Sequence, residues 1–322
     1  MMSPLNINLR SRKIALSLIL PLLLLLAGIL YCLYYGRIGY MPQDSSTVFD
    51  GGWRILSGQI PFRDFTLSNA ILPVFFQAFF FKIFGVSWFV YCLHAAIFNG
   101  LFCVLAFFFL RLMGGSRLLS FFYALLSGVI FYTPFGIPVQ DQHAYFFTFL
   151  VLFLACGSAR VSEPFLKQGI FFLIPILSGA AFLSKQIPTA FGVLLAVAIL
   201  LFTARRNLWM LIRALLAGTL AAVVILVALY YALGIDFELL KVYFFQLPAE
   251  TGGERIGRIL SGRFMVVKEY MVVHWQLFFP FGLITLLFLA ALFVARSRFT
   301  VSAATSSGKS TAQGFTKNPL SL

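Results

Sequence analysis

Apolar residues along this chain come in long unbroken runs rather than in alternation. Runs at 14–35, 86–110, 118–136, 143–159, 169–184, 187–204, 208–233 and 274–295 hold almost no charge. About 20 such residues carry a helix across the hydrocarbon core of a bilayer. The pattern predicts an all-α polytopic membrane protein. A membrane β-barrel would instead show short segments of alternating polarity. The first run follows Arg10, Arg12 and Lys13, as a signal peptide does, but it continues to Tyr35 without a small-residue cleavage site. It reads as an uncleaved first span.

One further stretch, "AILPVFFQAFFFKIF" at 70–84, is short for a span and contains Pro73, Gln77 and Lys82. Parity decides how it is read. If it does not cross, the inner loops carry Arg111 and Arg117, Arg160 and Lys167, Arg205 and Arg206, and Arg296 and Arg298. The short outer loops then carry only Lys185. That is the positive-inside bias, and it would reverse if 70–84 crossed. The expectation is eight spans, both termini cytoplasmic, and 70–84 an amphipathic or re-entrant segment on the outer face. Nine of the ten acidic residues then lie outside, with Glu163 alone inside. Residues 1–296 form the transmembrane domain, with large outer loops at 36–85 and 234–273. The Ser/Thr/Ala/Gly-rich stretch 297–322 is expected to be a disordered cytoplasmic tail.

Composition agrees with a membrane location and narrows the chemistry. The chain is 61% hydrophobic and 11% charged, too few charges for a soluble domain of 322 residues. The net charge of +14 comes from Lys and Arg at cytoplasmic helix ends, so no nucleic-acid partner is expected. Cys32, Cys92, Cys103 and Cys156 fall in apolar runs without metal-ligand spacing, and read as small buried hydrophobes. His143 and His274 lack such spacing too, so neither a metal nor a cofactor is expected. His94 lies inside a span, where an ionisable side chain needs a partner on a neighbouring helix.

The first outer loop is the polar centre of the sequence. After Asp44, "SSTVFDGGWRILSG" reads as a short amphipathic helix, with Ser45 and Ser46 as capping residues and Gly58 as its stop. Phe49, Trp53 and Leu56 fall at i, i+4 and i+7 and predict its apolar face. Arg63 and Asp64 are expected to pair and hold the loop together. From the residues alone, Asp44 either caps this helix or acts as a base. Asp141, in "IPVQDQHAYF", either caps the next span with His143 in its first turn or orients a substrate. Lys185 either anchors a helix end or contacts a phosphate. Arg255 and Arg258, at i and i+3, suit either a substrate phosphate or anionic lipid headgroups.

The loop from Asp44 to Gly85 resembles the first periplasmic loop of the GT-C glycosyltransferases, the polytopic enzymes of the protein O-mannosyltransferase and lipid A aminoarabinose transferase type. The resemblance rests on Asp44 after the first span, "RILSG" at 54–58, "PFRD" at 61–64 and "FKIFG" at 81–85. "GAAFLSKQ" at 179–186 is similar to the Gly-rich span of that family that ends in Lys. Where the family often has Asp-Glu, this chain has Asp44-Ser45.

The resemblance implies a GT-C-like bundle with interfacial helices in its first outer loop. It also implies transfer of a sugar from a polyprenyl-phosphate donor to a glycan, lipid or protein acceptor outside the plasma or inner membrane. A phosphate leaves as an anion and needs no proton. One base, Asp44, then suffices to deprotonate the acceptor hydroxyl, with inversion at the anomeric carbon. Asp141, Ser45 and His143 are the supporting or acceptor-side candidates, and Lys185, Arg255 and Arg258 the donor-phosphate candidates. Two other classes stay open: a transporter or flippase of lipid-linked glycans, and a catalytically weakened relative serving as an assembly partner.

Overall fold

The structure, a computed structural model, describes residues 4–38, 45–67, 70–132, 136–205 and 207–260. Two compact units divide at Gly252/Gly253, the second being described only as far as Leu260. The predicted eighth span, 274–295, and the tail, 297–322, lie outside the described residues. The helices are α1 (Pro4–Tyr35), α2 (Ser45–Leu56), α3 (Ile71–Phe84), α4 (Trp88–Leu112), α5 (Arg117–Phe131), α6 (Gln140–Gly157), α7 (Pro164–Ser184), α8 (Gln186–Thr203), α9 (Leu208–Leu233), α10 (Phe237–Leu240) and α11 (Leu247–Leu260). A 3₁₀ turn follows α6 and a π-helical stretch, Lys241–Gln246, joins α10 to α11. The described residues contain no strand, only an isolated bridge between Pro61 and Phe65.

Among the described residues, five helices are long and apolar enough to cross a membrane: Leu18–Tyr35, Trp88–Leu112, Gln140–Arg160, Pro164–Ser184 and Leu208–Leu233. Three predicted segments are shorter as apolar helices, at Ile71–Phe84, Arg117–Phe131 and Thr189–Thr203. At 1.5 Å per residue, the 15 residues of α5 rise only about 22 Å, short of a ~30 Å hydrocarbon core. Within the predicted span 118–136, the helix α5 ends at Phe131, and residues 133–135 lie outside the described ones.

Capping side chains account for the sharp helix starts. Ser87 accepts from the Val90 amide at 3.2 Å, and Ser116 from Leu119 at 3.3 Å. Glu163 accepts from Leu166, with Pro164 in the first turn where no amide is required. Gly58 and Gly234, with φ of +89° and +61°, follow α2 and α9 in backbone conformations that a Cβ disfavours.

The ends of the helices sort into two sets. The Trp88 indole donates to the Gly36 carbonyl at 2.8 Å, and Gly36 packs against Gly136. The Ala70 amide donates to the Ser184 carbonyl at 3.0 Å, Asp236 to Phe62 at 2.8 Å, and the Gln186 amide to Phe244 at 3.2 Å. These contacts gather the end of α1, the described part of the first loop, and the starts of α4, α6 and α8 at one end of the bundle. The ends of α7 and α9 join them there. At the other end Leu112 meets Gly157, and Ala155, Phe171, Ala204 and Leu211 share one core cluster. Consequently α3 begins and finishes at the end where α1 finishes.

Close backbone approach fixes α1 against α4 and α5. A Cβ on Gly100 would lie 2.6 Å from the Leu25 carbonyl oxygen, and one on Gly28 would lie 2.9 Å from the Gly100 Cα. Just beside them Asn99 donates from Nδ2 to the carbonyls of Gly28 at 2.9 Å and Gly128 at 3.0 Å. One amide thus ties three helices. Gly100→Ala is expected to cost about 1–3 kcal/mol through overpacking. Gly169→Ala, in α7 with open space around it, should be neutral or stabilising by up to ~1 kcal/mol. Denaturant titration of both variants in the same detergent checks the contrast.

Candidate functional site

The polar groups of the first-loop end are built on helix termini. Asp141 stands in the first turn of α6, and Lys185 is the single extended residue (φ −161°, ψ 133°) that breaks α7 from α8. That break aims the ammonium across the groove. Lys185 Nζ donates to Asp141 Oδ2 at 2.7 Å, with side chains 24% and 34% exposed. Two residues to which the sequence assigned separate roles are therefore one ion pair. An anion reaching Lys185 must compete with Asp141, and in doing so would free that carboxylate.

The turn after α2 carries a second pair. Arg63 Nη2 donates to Asp64 Oδ2 at 2.8 Å, and the same oxygen accepts from the Ile60 amide at 2.8 Å. Chiefly the guanidinium, and then that amide, hold the Asp64 carboxyl below the usual carboxylate range. The loop expectation for Arg63 and Asp64 matches this geometry. On α2 itself, Asp50 accepts from Arg54 Nε at 2.7 Å, and the Arg54 guanidinium lies 5.6 Å from the Phe65 ring centre. A polar groove of about 500 Å³ opens here, lined by Ser46, Thr47, Asp50, Arg54, Phe65 and Thr66 among others.

The buried face of α2 differs from the predicted one. Val48, Gly51 and Gly52 are buried, whereas Trp53 is 47% exposed and Leu56 also faces outward. The cause is backbone proximity. A Cβ on Gly51 would lie 2.8 Å from Val74, and one on Gly52 would lie 2.7 Å from Gln77. The helix turns its glycines toward α3 and leaves Trp53 and Leu56 facing outward, while Phe49 of the predicted face stays packed against Phe81 and Tyr91, with ring centres 5.1 and 5.2 Å away.

Beneath α3 lies a buried polar chain. Gln77 Oε1 lies 2.9 Å from His94 Nδ1, and His94 Nε2 lies 2.9 Å from His143 Nε2. His143 Nδ1 lies 2.9 Å from both the Tyr132 hydroxyl and the Val139 carbonyl. Gln77, His94, Tyr132 and His143 are all buried. His94 needs a partner inside the bundle and has two, on α3 and α6. The sequence marked Gln77 only as an argument against a span, and did not single out Tyr132. One signal pointed to Gln77: a lone amide in an otherwise aromatic helix has to be paired.

Asp44, the candidate base, lies outside the described residues, as do His274 and the side chains of Ser45, Arg255 and Arg258. Among the described residues no group of three or more His, Cys, Asp or Glu could hold a metal ion.

Asp141→Asn and Lys185→Gln are each expected to lower stability by about 1 kcal/mol, and the double variant to lose little more. A double-mutant cycle by denaturant titration checks this. Asp64 gives a pH prediction with a definite sign. Its folded value is depressed, so its stabilisation of the turn is present above the ordinary carboxylate value and lost as pH falls through the folded one. Exchange of the Ile60 amide, corrected for its intrinsic rate, should accelerate only below the ordinary carboxylate range. Asp64→Asn should abolish that step.

In comparisons with known proteins, no family model, no curated protein and no solved structure matches this chain.

Proposed function

We propose that this protein is an integral membrane glycosyltransferase with a GT-C-like bundle of about eight spans, acting at its extracytoplasmic face on a polyprenyl-phosphate sugar. One observation carries the reading: the gathering of carboxylates at one end of the bundle, opposite an end where Arg111, Arg117, Arg160, Lys167 and Arg205 outnumber Glu163. Asp50, Asp64, Asp141, Lys185, Asp236 and Glu238 all belong to loops or helix ends there. The lining of the groove beside α2 begins at Ser46, two residues after Asp44 in the sequence, and its hydroxyl, carboxylate and guanidinium groups suit a polyol acceptor. The position of α3, with both ends on the same side, supports the parity on which the charge bias depends.

In this reading the Asp44 carboxylate takes the acceptor hydroxyl proton as the oxygen bonds to the anomeric carbon. The bond from that carbon to the phosphate oxygen breaks on the opposite face, and the lipid phosphate leaves as an anion. Lys185 receives part of that charge in exchange for Asp141, and Arg255 and Arg258 are the further cations available. His143 supports from below and Ser45 lies next to the base in sequence. Trp53, exposed on α2, suits the headgroup level of the bilayer.

A second reading, a transporter or flippase of lipid-linked glycans, is favoured by the buried histidine pair, because intramembrane ionisable residues mark transport pathways. However, His94 is six residues past the start of α4, about 9 Å along its axis and above the middle of a span.

Asp44→Asn is expected to lower transfer from a polyprenyl-phosphate hexose or pentose in isolated membranes by about a hundredfold or more. Unchanged transfer, with the variant inserted at wild-type level, would remove the enzyme reading in favour of an assembly partner. Single cysteines at Ser68 and Ser116, with the four native cysteines replaced, test the topology. An impermeant thiol reagent on whole cells should label Ser68 and spare Ser116.

A further inference from the structure

The first turns of α9 carry a cation without a counter-charge. Arg213 is the only charged residue of that helix and lies five residues after its start at Leu208, about 8 Å along the axis. A guanidinium within an apolar span is costly unless it is paired or reaches the membrane surface. Side chains on a helix lean toward its N-terminus, so Arg213 leans back toward the end of the bundle where α9 begins. Its guanidinium lies 4.6 Å from the ring centre of Trp209, one turn earlier. An indole attracts the cation but leaves its fork of N–H donors without an acceptor. The ion pairs among the described residues are Asp50–Arg54, Arg63–Asp64, Asp141–Lys185 and Glu238–Lys241, and none involves Arg213.

A second cation stands at the same junction. Arg205 follows Ala204 in the turn between α8 and α9, 5.7 Å from the Phe202 ring centre, and is in none of those ion pairs either. The turn is tight, with the Asn207 amide donating to the Ala204 carbonyl at 2.7 Å. Ala204, Leu211 and Ala214 share one core cluster, which fixes the start of α9 beside the end of α8. Both arginines are exposed. Glu163, the acid at this end of the bundle, is committed to capping α7 at the Leu166 amide.

The surface that continues from Arg213 is apolar and open. Trp209, Arg213, Leu216, Leu220 and Val223 follow one another at intervals of four, three, four and three, and so line one face of α9. Leu216, Leu220 and Val223 are 65%, 64% and 48% exposed. From Arg213 to Val223 the helix rises about 15 Å, half of a ~30 Å hydrocarbon core. A cationic head position above an apolar track one leaflet deep matches the two parts of a phospholipid. A free phosphate would use only the first of them.

We propose that Arg213 and Arg205 hold the phosphate of one anionic phospholipid, whose acyl chains lie along the Leu216, Leu220 and Val223 face of α9. Guanidinium forks match phosphate oxygens. A zwitterionic lipid brings its own ammonium, which two guanidinium groups repel, whereas an anionic lipid does not. Trp209 is a positioning residue that holds the Arg213 side chain. The site is at the opposite end of the bundle from the surface carboxylates and is independent of the reaction proposed there.

The test uses the full chain in a maltoside detergent with equal amounts of phosphatidylglycerol and phosphatidylcholine, followed by native mass spectrometry. Phosphatidylglycerol is expected to be retained in preference, at one molecule per chain. Arg213→Gln should lower that retention about tenfold, as loss of a charged hydrogen bond does, and Arg205→Gln should act in the same direction. Arg117→Gln, which removes an exposed cation at the start of α5, should leave it unchanged. All three variants change exposed side chains, and an unchanged unfolding midpoint shows that they fold. Equal retention of the two lipids, unchanged retention in Arg213→Gln, or an equal loss in Arg117→Gln overturns a defined headgroup site. Displacement of the lipid by free glycerol phosphate overturns the apolar track, and with it a lipid as the source of the phosphate.

Discussion

Inside a helical bundle a polar side chain has to find its partner within the protein, and the interior of this one is organised by that requirement. The helices satisfy their own backbone groups, and the buried polar side chains that find partners do so either locally or across a helix boundary, while atoms such as Gln77 Nε2, Asn99 Oδ1 and Thr148 Oγ1 have none among the described residues. Ser127, Ser158, Ser178 and Ser184 return their hydroxyls to carbonyls three or four residues earlier on their own helices. Asn99 and His94 instead reach different helices, and His143 reaches His94 as well as the Val139 carbonyl four residues before it. Those longer-range bonds decide which helices are neighbours.

Two such junctions give the two halves of the bundle different characters. At the Asn99 junction α1, α4 and α5 meet through glycines and Cys103, with backbones nearly in contact. Packing there leaves no space for adjustment. At the Gln77–His94–His143 junction, by contrast, contact is made through side-chain tips and phenyl rings. Its hydrogen bonds can reverse direction without moving a helix. The first junction is held by backbone contact, and the second, which seats α3, by side-chain hydrogen bonds.

The sequence showed the helical elements and their order plainly, because unbroken apolar runs have few alternatives. For 70–84, Pro73, Gln77 and Lys82 together with loop charge argue against a crossing, and the structure has there the 14-residue helix α3. The rotation of α2 was not legible in the same way. Phe49, Trp53 and Leu56 form a convincing apolar stripe, but contact depth at Gly51 and Gly52 outweighs it, and glycine carries no signal in a count of apolar positions. The pairing of Asp141 with Lys185 was hidden for another reason. It joins positions 44 residues apart in the chain, and depends on the single extended residue between α7 and α8.

The first turn of α6 connects the surface to the interior. Successive helix positions differ by about 100°, so Asp141 and His143, two residues apart, point to nearly opposite sides. Asp141 turns toward α7 and α8 and meets Lys185 at the rim, while His143 turns toward α4 and α5 and meets His94 and Tyr132. A change at the rim that pulls Asp141 from Lys185 acts on the same helical turn whose Val139 carbonyl holds His143. The reverse follows by the same covalent link. The first turn of α6 therefore touches both the exposed ion pair and the buried polar chain, and a displacement of it is felt at both.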